Sequence, residues 1–317
     1  MIVEEEGVSF MFLPILFVAA LIPIILLCVF VYLKDKNKEP KGLLVGIFFL
    51  GFISVFPIVI NEMVFSVIFP MPTTGFVPIF FNVLFGVAFY EEGYKWLITK
   101  YLGYKNKEFD EVYDVIIYAV FASLGFACFE NIMYVIQNGL GNAVMRALLA
   151  VPGHTCFAIS MGYFFAKAKV GEISGNKGVY NRNMVFSIVV PIVLHTLYDA
   201  FLFSADSVDN FGGFLLSMLP FLIFYIAMVI LCFLTVDKIA KVQQNLTTNI
   251  DNGNILRDEQ GHIYYNYASP AATQPVSTVV DSTSLVPIQT QTLAYCPICG
   301  KPTNGTNFCI YCGFRLK

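Results

Sequence analysis

The stretch VAFYEEGYKWLI, residues 87–98, places two adjacent carboxylates and an ammonium group inside an otherwise apolar and aromatic run. On a helix, Lys95 is four residues from Glu91 and three from Glu92, so either carboxylate can pair with the lysine while the other faces elsewhere. Charged groups in an apolar segment are costly and are retained there chiefly when they are paired or functional. This stretch is therefore the first candidate for a reactive site.

Two later apolar segments also carry potentially reactive side chains. Glu130 follows Phe126 by four residues, and Asp199 follows His195 by four residues. Each pair shares one face of a helix, because residues four apart lie one above the other. Carboxylate and imidazole groups can accept or donate protons, so the pattern is typical of a hydrolytic site.

The depths of these groups in the membrane are similar. With a rise of about 1.5 Å per residue from the nearest loop, Glu92 lies about 16 Å in and His195 about 18 Å in. His154, which follows Pro152 in a helix that the proline is expected to kink, reaches a similar level from the opposite side. Glu130 lies deeper, at about 22 Å or more, so its helix must tilt or begin with a partly submerged segment at Asp114. We expect these side chains to surround one polar cavity near the bilayer midplane.

The composition is that of a polytopic membrane protein. The 317 residues are 57% hydrophobic and 13% charged, whereas soluble domains average about 45–50% and about 25%. A spanning helix needs roughly 20 mostly apolar residues. The segments that meet this requirement are 8–33, 42–61, 76–102, 112–136, 147–168, 183–204 and 212–236. The sequence predicts an all-α membrane protein with about seven transmembrane helices, with Glu62 near an outer interface.

Lysine and arginine alternate between the two sides of this arrangement. They follow the first, third, fifth and seventh spans, and Arg146 is the exception on the opposite side. Because cytoplasmic loops carry the positive excess, the N-terminus is expected outside and the C-terminal tail in the cytoplasm. The sequence thus predicts a multi-pass protein of the cell membrane. No basic stripe indicates a nucleic-acid partner.

The tail differs from the rest of the chain. Residues 1–242 form the predicted transmembrane domain, 243–292 a flexible polar linker and 293–317 a small module. In the linker, GHIYYNYA is expected to form a local strand or a surface that docks on the membrane face. The module contains two CxxC pairs, the spacing of a structural zinc ribbon that binds Zn²⁺ tetrahedrally. Its predicted ligands are Cys296, Cys299, Cys309 and Cys312.

This zinc ribbon is expected to serve as a docking site for a protein partner. Four cysteines close the coordination shell, which leaves no open catalytic position. Two disulfides are the alternative, but the predicted cytoplasmic side is reducing.

The motifs in the membrane segments resemble those of a known family. EEGYK (91–95), FACFE (126–130) and HTLYD (195–199) look like the EExxK, FxxxE and HxxxD motifs of the PrsW-type intramembrane proteases, which are related to the CAAX prenyl endopeptidases. The resemblance spans about residues 75–205 and excludes the tail. It implies cleavage of membrane-protein substrates within the lipid bilayer, with anti-sigma factors as typical substrates.

Peptide hydrolysis requires an activated water and a stabilised oxyanion. Glu91 or Glu92 is expected to hold and deprotonate the water, and His195 to polarise the scissile carbonyl. Asp199 would orient His195 or bind the oxyanion side through its proton, and Glu130 would orient water or donate a proton. The expected supporting residues are Lys95, Phe126, Asn131 and His154.

A zinc-dependent metalloprotease is the alternative within the same class. Its ligands would come from Glu130, His154, His195 and Asp199, and bound zinc would lower the pKa of its water to about 7. The sequence lacks HExxH and any dense His/Cys spacing in the membrane helices. The scheme in which Glu91 or Glu92 deprotonates the water, called the glutamate scheme below, is therefore favoured. Whether the active site holds a metal stays an open question.

Two alternatives belong to other classes. An ion or proton transporter also uses midplane Asp, Glu and His groups, but it more often shows inverted repeats. A non-catalytic receptor or scaffold that works through the zinc ribbon would not need Glu91 and Glu92 side by side. The sequence thus favours a protease.

Overall fold

The computed structural model describes residues 2–35, 38–72, 74–106, 108–109, 111, 113–173, 176–206, 208, 210–251, 255–257 and 263–265. In these residues the α-helices are α1 (Ile2–Lys34), α2 (Lys41–Ile53), α3 (Val55–Ile68), α4 (Phe76–Val83), α5 (Phe89–Ile98), α6 (Asp114–Leu148), α7 (Ala150–Ile173), α8 (Lys177–Asp206) and α9 (Phe211–Asp251). Two short strands follow, β1 (Ile255–Arg257) and β2 (Ile263–Tyr265).

The described residues contain six segments that are long and apolar enough to cross a membrane. They are Leu13–Lys34, Lys41–Ile68, Phe76–Tyr104, Asp114–Lys169, Lys177–Asp206 and Phe211–Ile239. The all-helical, polytopic architecture is thus confirmed. The 56-residue segment Asp114–Lys169 contains both α6 and most of α7, which the sequence analysis counts as separate spans. The number seven therefore stays a prediction.

Helices α6 and α7 form the centre of the bundle. Within Asp114–Lys169, 78% of the most apolar window is buried, compared with 17% for the window of Leu13–Lys34. The outer helices expose many large apolar side chains, as expected of surfaces that face lipid. In lipid a helix satisfies its own backbone hydrogen bonds, so a bundle of apolar helices is stable there.

Two glycines bring α2 and α6 into close contact. A Cβ atom on Gly51 would overlap the backbone of Ala122, and one on Gly125 would overlap the backbone of Phe48. Small residues allow helix backbones in a membrane to approach closely, and packing is a main source of their association. This contact holds α6, which carries part of the candidate site, against α2.

Helix α6 is interrupted at Gly139, where φ is 76° and ψ is −168°. Glycine adopts this positive φ readily because it has no Cβ. In a straight helix, Glu130 and Arg146 would lie about 24 Å apart along the axis. Their side chains are instead in contact, with Arg146 Nη2 3.0 Å from Glu130 Oε2. The chain therefore folds back at Gly139.

The expected kink at Pro152 is wrong. Helix α7 begins at Ala150, so Pro152 lies in its first turn. The missing N–H of proline has no intrahelical acceptor at that position, and its fixed φ suits a helix start. The proline therefore lies in the first turn of the helix that carries His154 and does not bend its interior.

The span Phe76–Tyr104 is not a uniform α-helix. Leu84–Ala88 and Thr99–Tyr104 are π-helical, and they enclose α5, which carries the motif EEGYK. Each π-helical turn adds a residue per turn and rotates the side chains that follow. Such turns occur frequently at functional sites. They set the direction in which Glu91, Glu92 and Lys95 point.

In the linker, β1 and β2 pair antiparallel, with Leu256 opposite Tyr264. Since β2 lies within GHIYYNYA, the predicted local strand is confirmed. The four tail cysteines of the predicted zinc ribbon, and most of the predicted linker, lie outside the described residues.

Candidate active site

Lys95 stands at the centre of the polar cluster. Its ammonium nitrogen lies 3.0 Å from Glu91 Oε2, 2.8 Å from Glu92 Oε1 and 3.3 Å from His154 Nδ1. The helical spacing predicts pairing with one carboxylate, leaving the other free. The structure differs, because one lysine binds both glutamates. Lys95 and Glu92 are 0% exposed, so neither charge is compensated by bulk solvent.

His195 of α8 joins this cluster from the opposite side. Its Nδ1 lies 3.0 Å from Glu92 Oε1, and its Nε2 lies 3.2 Å from Asp199 Oδ2 one turn later. The i,i+4 spacing places Asp199 on the same helix face as His195. Asp199 thus holds the far edge of the imidazole while the near edge faces Glu92.

His154 of α7 has the same arrangement with different partners. Its Nδ1 faces Lys95, and its Nε2 lies 2.9 Å from Glu130 Oε2 on α6. Ser123 Oγ donates a hydrogen bond of 3.0 Å to the carbonyl oxygen of His154, which fixes the start of α7 against α6. Two histidines from two helices therefore direct Nδ1 inward and bind a carboxylate through Nε2.

The hydrogen-bond partners assign different protonation states to the two rings. Lys95 can only donate, so His154 Nδ1 accepts, and the proton of a neutral ring lies on Nε2 and is donated to Glu130. Both nitrogens of His195 face carboxylates, Glu92 and Asp199. When both carboxylates are ionised, His195 must carry a proton on each nitrogen. The site then combines a neutral imidazole with an imidazolium.

Aromatic rings hold these groups in place. The ammonium of Lys95 lies over Phe126, 4.1 Å from the ring centroid, a favourable cation–π geometry. Phe157 stacks on His195 with ring centroids 4.7 Å apart. The two phenyl rings give the cluster an apolar lining, and apolar surroundings strengthen electrostatic interactions.

One carboxylate oxygen of Glu92 has no hydrogen-bond partner among the described residues. This oxygen, Oε2, is buried, while Oε1 is bound by both Lys95 and His195. An unsatisfied buried carboxylate oxygen is costly, and such groups mark sites for a water, an ion or a substrate. Glu91, at 6% exposed, lies closer to the surface of the cluster.

Asn131 lies behind the cluster and does not touch Lys95. Its amide nitrogen donates to the carbonyl oxygen of Ala20 on α1, 2.6 Å away, and its Oδ1 accepts a 2.8 Å hydrogen bond from Arg146 Nε. Its position therefore fits a supporting role that links α1 to α6 and to Arg146.

Two residues of this site were not predicted from the sequence. Arg146 pairs with Glu130, and Phe157 stacks on His195. Arg146 was visible as the exception to the pattern of basic loops. Phe157 gave no signal, because it is one apolar residue in an apolar helix.

Glu62 is half-buried on α3. Its expected position near an outer interface stays a prediction.

Comparisons with known proteins identify a matching family. The description of the matching family is "PrsW family intramembrane metalloprotease", and the match covers residues 39–232. This range contains every membrane residue of the cluster and ends before the tail cysteines. No solved structure matches the chain.

Three bacterial proteins named "Protease PrsW" are similar to the chain. The protein from Oceanobacillus iheyensis is 33% identical over 231 residues, which cover 73% of this chain and 97% of that protein. The one from Halalkalibacterium halodurans is 34% identical over 236 residues, covering 72% and 97%. The one from Bacillus subtilis is 37% identical over 207 residues, covering 65% and 88%.

Proposed function

Because the chain belongs to the PrsW family and is an intramembrane protease, we propose that Glu92 activates the hydrolytic water. The observation that supports this proposal is the unpartnered, buried Oε2 of Glu92, whose Oε1 is already held by Lys95 and His195. A water bound at Oε2 would lie beside the base that deprotonates it. The transporter and scaffold alternatives have no comparable support.

The proposed reaction uses the neighbouring groups in sequence. Glu92 takes a proton from water, and the water oxygen attacks the carbonyl carbon of the substrate peptide. The Nδ1–H of His195, which now faces Glu92, turns toward the carbonyl oxygen and stabilises the oxyanion. When the C–N bond breaks, the proton held by Glu92 passes to the leaving amine. Asp199 holds His195 through Nε2 during these steps.

Lys95 and Glu91 have a different role in this scheme. Lys95 keeps Glu92 ionised and oriented, because opposite charges in direct contact favour the charged form. Glu91 shares the ammonium, so Lys95 is held between two carboxylates. Glu130 acts on His154, and it does not contact Glu92 in the observed arrangement.

The name of the matching family raises the metal alternative. The expected ligand set of Glu130, His154, His195 and Asp199 does not converge, since both carboxylates lie on the Nε2 sides of the rings. Among the described residues of the membrane cluster, the donors within 4.8 Å of one another are those of Glu91, Glu92 and His154.

This donor set fits a divalent metal by its chemistry, because carboxylates and an imidazole backed by Glu130 are common at catalytic zinc sites. Glu91, Glu92 and His154 would hold the ion, which would supply a Lewis acid and an activated water. However, the ammonium of Lys95 contacts all three residues at 2.8–3.3 Å. A metal at that position would require Lys95 to move away, so the glutamate scheme agrees better with the geometry.

The proposed orientation places the N-terminus outside and the tail in the cytoplasm. Contacts at one end of the bundle support it. Lys34 of α1 forms a 3.3 Å ion pair with Asp237 of α9, and Lys169 of α7 lies over the ring of Tyr104. The lysines that follow alternate spans thus share one end, which the positive-inside rule assigns to the cytoplasm.

We further propose that the CxxC pairs in the tail bind Zn²⁺ as a structural ribbon that docks a protein partner. The spacing of the four cysteines supports this proposal. Membrane-anchored regulatory proteins of the anti-sigma-factor type are the proposed substrates, on the basis of the motif resemblance alone.

The termini of membrane proteins test the proposed function. Cells that express the wild-type chain, Glu92→Gln or Glu172→Gln are compared by mass spectrometry of new protein termini. Glu172 is a matched control because its side chain is 49% exposed and remote in sequence from the cluster. New termini within or beside membrane spans are expected with the wild type and Glu172→Gln only. If cells that express Glu92→Gln contain the same new termini as cells that express the wild type, Glu92 does not activate the water.

A further inference from the structure

Arg146 is the basic residue that the loop pattern leaves unexplained. It lies in the part of α6 after the reversal at Gly139, and its side chain is only 12% exposed. A buried guanidinium requires hydrogen-bond partners, because an unpaired charge in a membrane protein is strongly unfavourable. Its contacts therefore indicate why it is present.

Arg146 has three partners. Its Nη2 forms a 3.0 Å ion pair with Glu130 Oε2 without the geometry of a hydrogen bond, its Nε donates to Asn131 Oδ1 at 2.8 Å, and its guanidinium carbon lies 4.4 Å from the centroid of Tyr134. The same oxygen of Glu130 also receives His154 Nε2 at 2.9 Å. Arg146 and His154 therefore meet at one carboxylate oxygen.

This shared oxygen connects Arg146 to the centre of the site. Arginine keeps its charge under all ordinary conditions, so its contact favours an ionised Glu130. An ionised Glu130 can only accept, which places the His154 proton on Nε2 and leaves Nδ1 free to accept from Lys95. Lys95 in turn binds Glu92, the proposed base.

We propose that Arg146 is a positioning residue for the hydrolytic reaction: through Glu130 it fixes the tautomer and orientation of His154, and thereby the position of Lys95 beside Glu92. This inference rests on the proposed role of Glu92. Arg146 acts on Lys95 and Glu92 through the intervening carboxylate of Glu130 and through His154.

A purely structural role would have different consequences. If Arg146 only tied the end of α6 to Asn131, its loss would lower the amount of folded protein and leave the ring of His154 unchanged. The two roles are therefore separated by the state of His154 and by kinetics of the folded fraction.

The first measurement is spectroscopic. The chain contains three histidines, so ¹⁵N signals of labelled imidazoles can be assigned with His154→Asn and His195→Asn. In the wild-type chain, His154 is expected to show one protonated Nε2 and one unprotonated Nδ1. Arg146→Gln should produce a mixture of tautomers. An unchanged His154 signal in folded Arg146→Gln would overturn the proposal.

The second measurement is kinetic and uses a single-span fusion protein that contains a cleaved segment from the termini experiment, reconstituted in lipid vesicles. Arg146→Gln is expected to lower kcat about 10-fold or more with little change in KM. Arg182→Gln is the matched control, since Arg182 is exposed at the start of α8. Arg146→Lys should retain an intermediate kcat, because it keeps the charge near Glu130 but loses the bond to Asn131.

A double-mutant cycle completes the test. Because Arg146 acts through Glu130, Arg146→Gln should have no further effect on kcat in a Glu130→Gln chain. If Arg146→Gln lowers kcat by the same factor in the wild-type chain and in the Glu130→Gln chain, the proposal is overturned. If Arg146→Gln does not fold, Arg146→Lys replaces it in the same cycle, with the same two outcomes. Glu92→Gln serves as the reference. Full activity of Glu92→Gln would refute the proposed function. If Glu92→Gln is inactive and folded Arg146→Gln has a normal kcat, only the inference about Arg146 is refuted.

Discussion

The Nδ1 atom of His195 lies 3.0 Å from Oε1 of Glu92, although the two residues are 103 positions apart in the chain. This contact joins the span Phe76–Tyr104 to the span Lys177–Asp206 at a position where both side chains are buried. A carboxylate and an imidazole in contact away from water form the central pair of a candidate hydrolytic site, and the other groups surround that pair.

Replacement of Lys95 is expected to affect stability as well as activity. Lys95→Met would leave Glu91 and Glu92 buried without their cation, which costs about 3–5 kcal/mol when one partner of a buried pair is removed. The melting temperature of the purified protein in detergent should fall clearly. Lys41→Met is the control, since Lys41 is exposed at the start of α2. Equal melting temperatures for the two variants would contradict the central position of Lys95.

Loss of Asp199 should reduce catalysis with little loss of fold. Asp199→Asn removes the negative charge behind His195 and allows the amide to favour the wrong ring tautomer, so we expect kcat to fall about 100-fold or more. The matched control is Asp206→Asn, because Asp206 is exposed at the end of the same helix. The kcat of each variant is measured from cleavage of the substrate reconstituted in lipid vesicles. An Asp199→Asn kcat close to that of the control would remove Asp199 from the mechanism.

Metal removal separates the two water-activation schemes. The predicted tail zinc would mask the result, so Cys296, Cys299, Cys309 and Cys312 are first replaced by serine in the full-length chain. After dialysis against chelator, the glutamate scheme predicts that cleavage persists and that elemental analysis finds no bound metal. Activity that disappears and returns only with added zinc would establish the metal scheme.

The same samples test the zinc ribbon. With its cysteines intact, the chain is expected to bind one Zn²⁺ through the four thiolates. The serine variant should lose this zinc while the membrane domain keeps its melting temperature, because the predicted ribbon follows a linker that is predicted to be flexible. Zinc content that does not change between the two chains would refute the ribbon.

The close contact of α2 and α6 provides a test of the fold itself. Gly51→Val would force side-chain atoms into the backbone of Ala122, and overpacking of this kind typically costs about 1–3 kcal/mol. Gly46→Val on the same helix is the control, because nothing lies within 4 Å of a Cβ at that position. A lower melting temperature is expected only for Gly51→Val. Equal stability of both variants would contradict the close approach of these helices.

The amino-acid sequence was sufficient to predict the membrane class, the family and the pairs of residues that meet on one helix. A helix brings residues four apart onto one face, independently of the packing of the other helices. For this reason Glu91 lies next to Lys95, and His195 lies next to Asp199. The tail cysteines likewise define their predicted metal site by spacing alone. Hydropathy was sufficient to identify the apolar helices, since length and composition decide whether a segment can span a bilayer.

Which of these pairs face one another follows from the packing of the helices and could not be predicted from the sequence. In lipid, the outer and inner faces of a helix are both apolar, so the sequence pattern does not reveal how each helix is rotated or tilted. The contacts of Lys95 with His154 and of Glu92 with His195 depend on that rotation. The reversal at Gly139, which brings Arg146 back to Glu130, depends on a single positive φ that apolar periodicity does not encode.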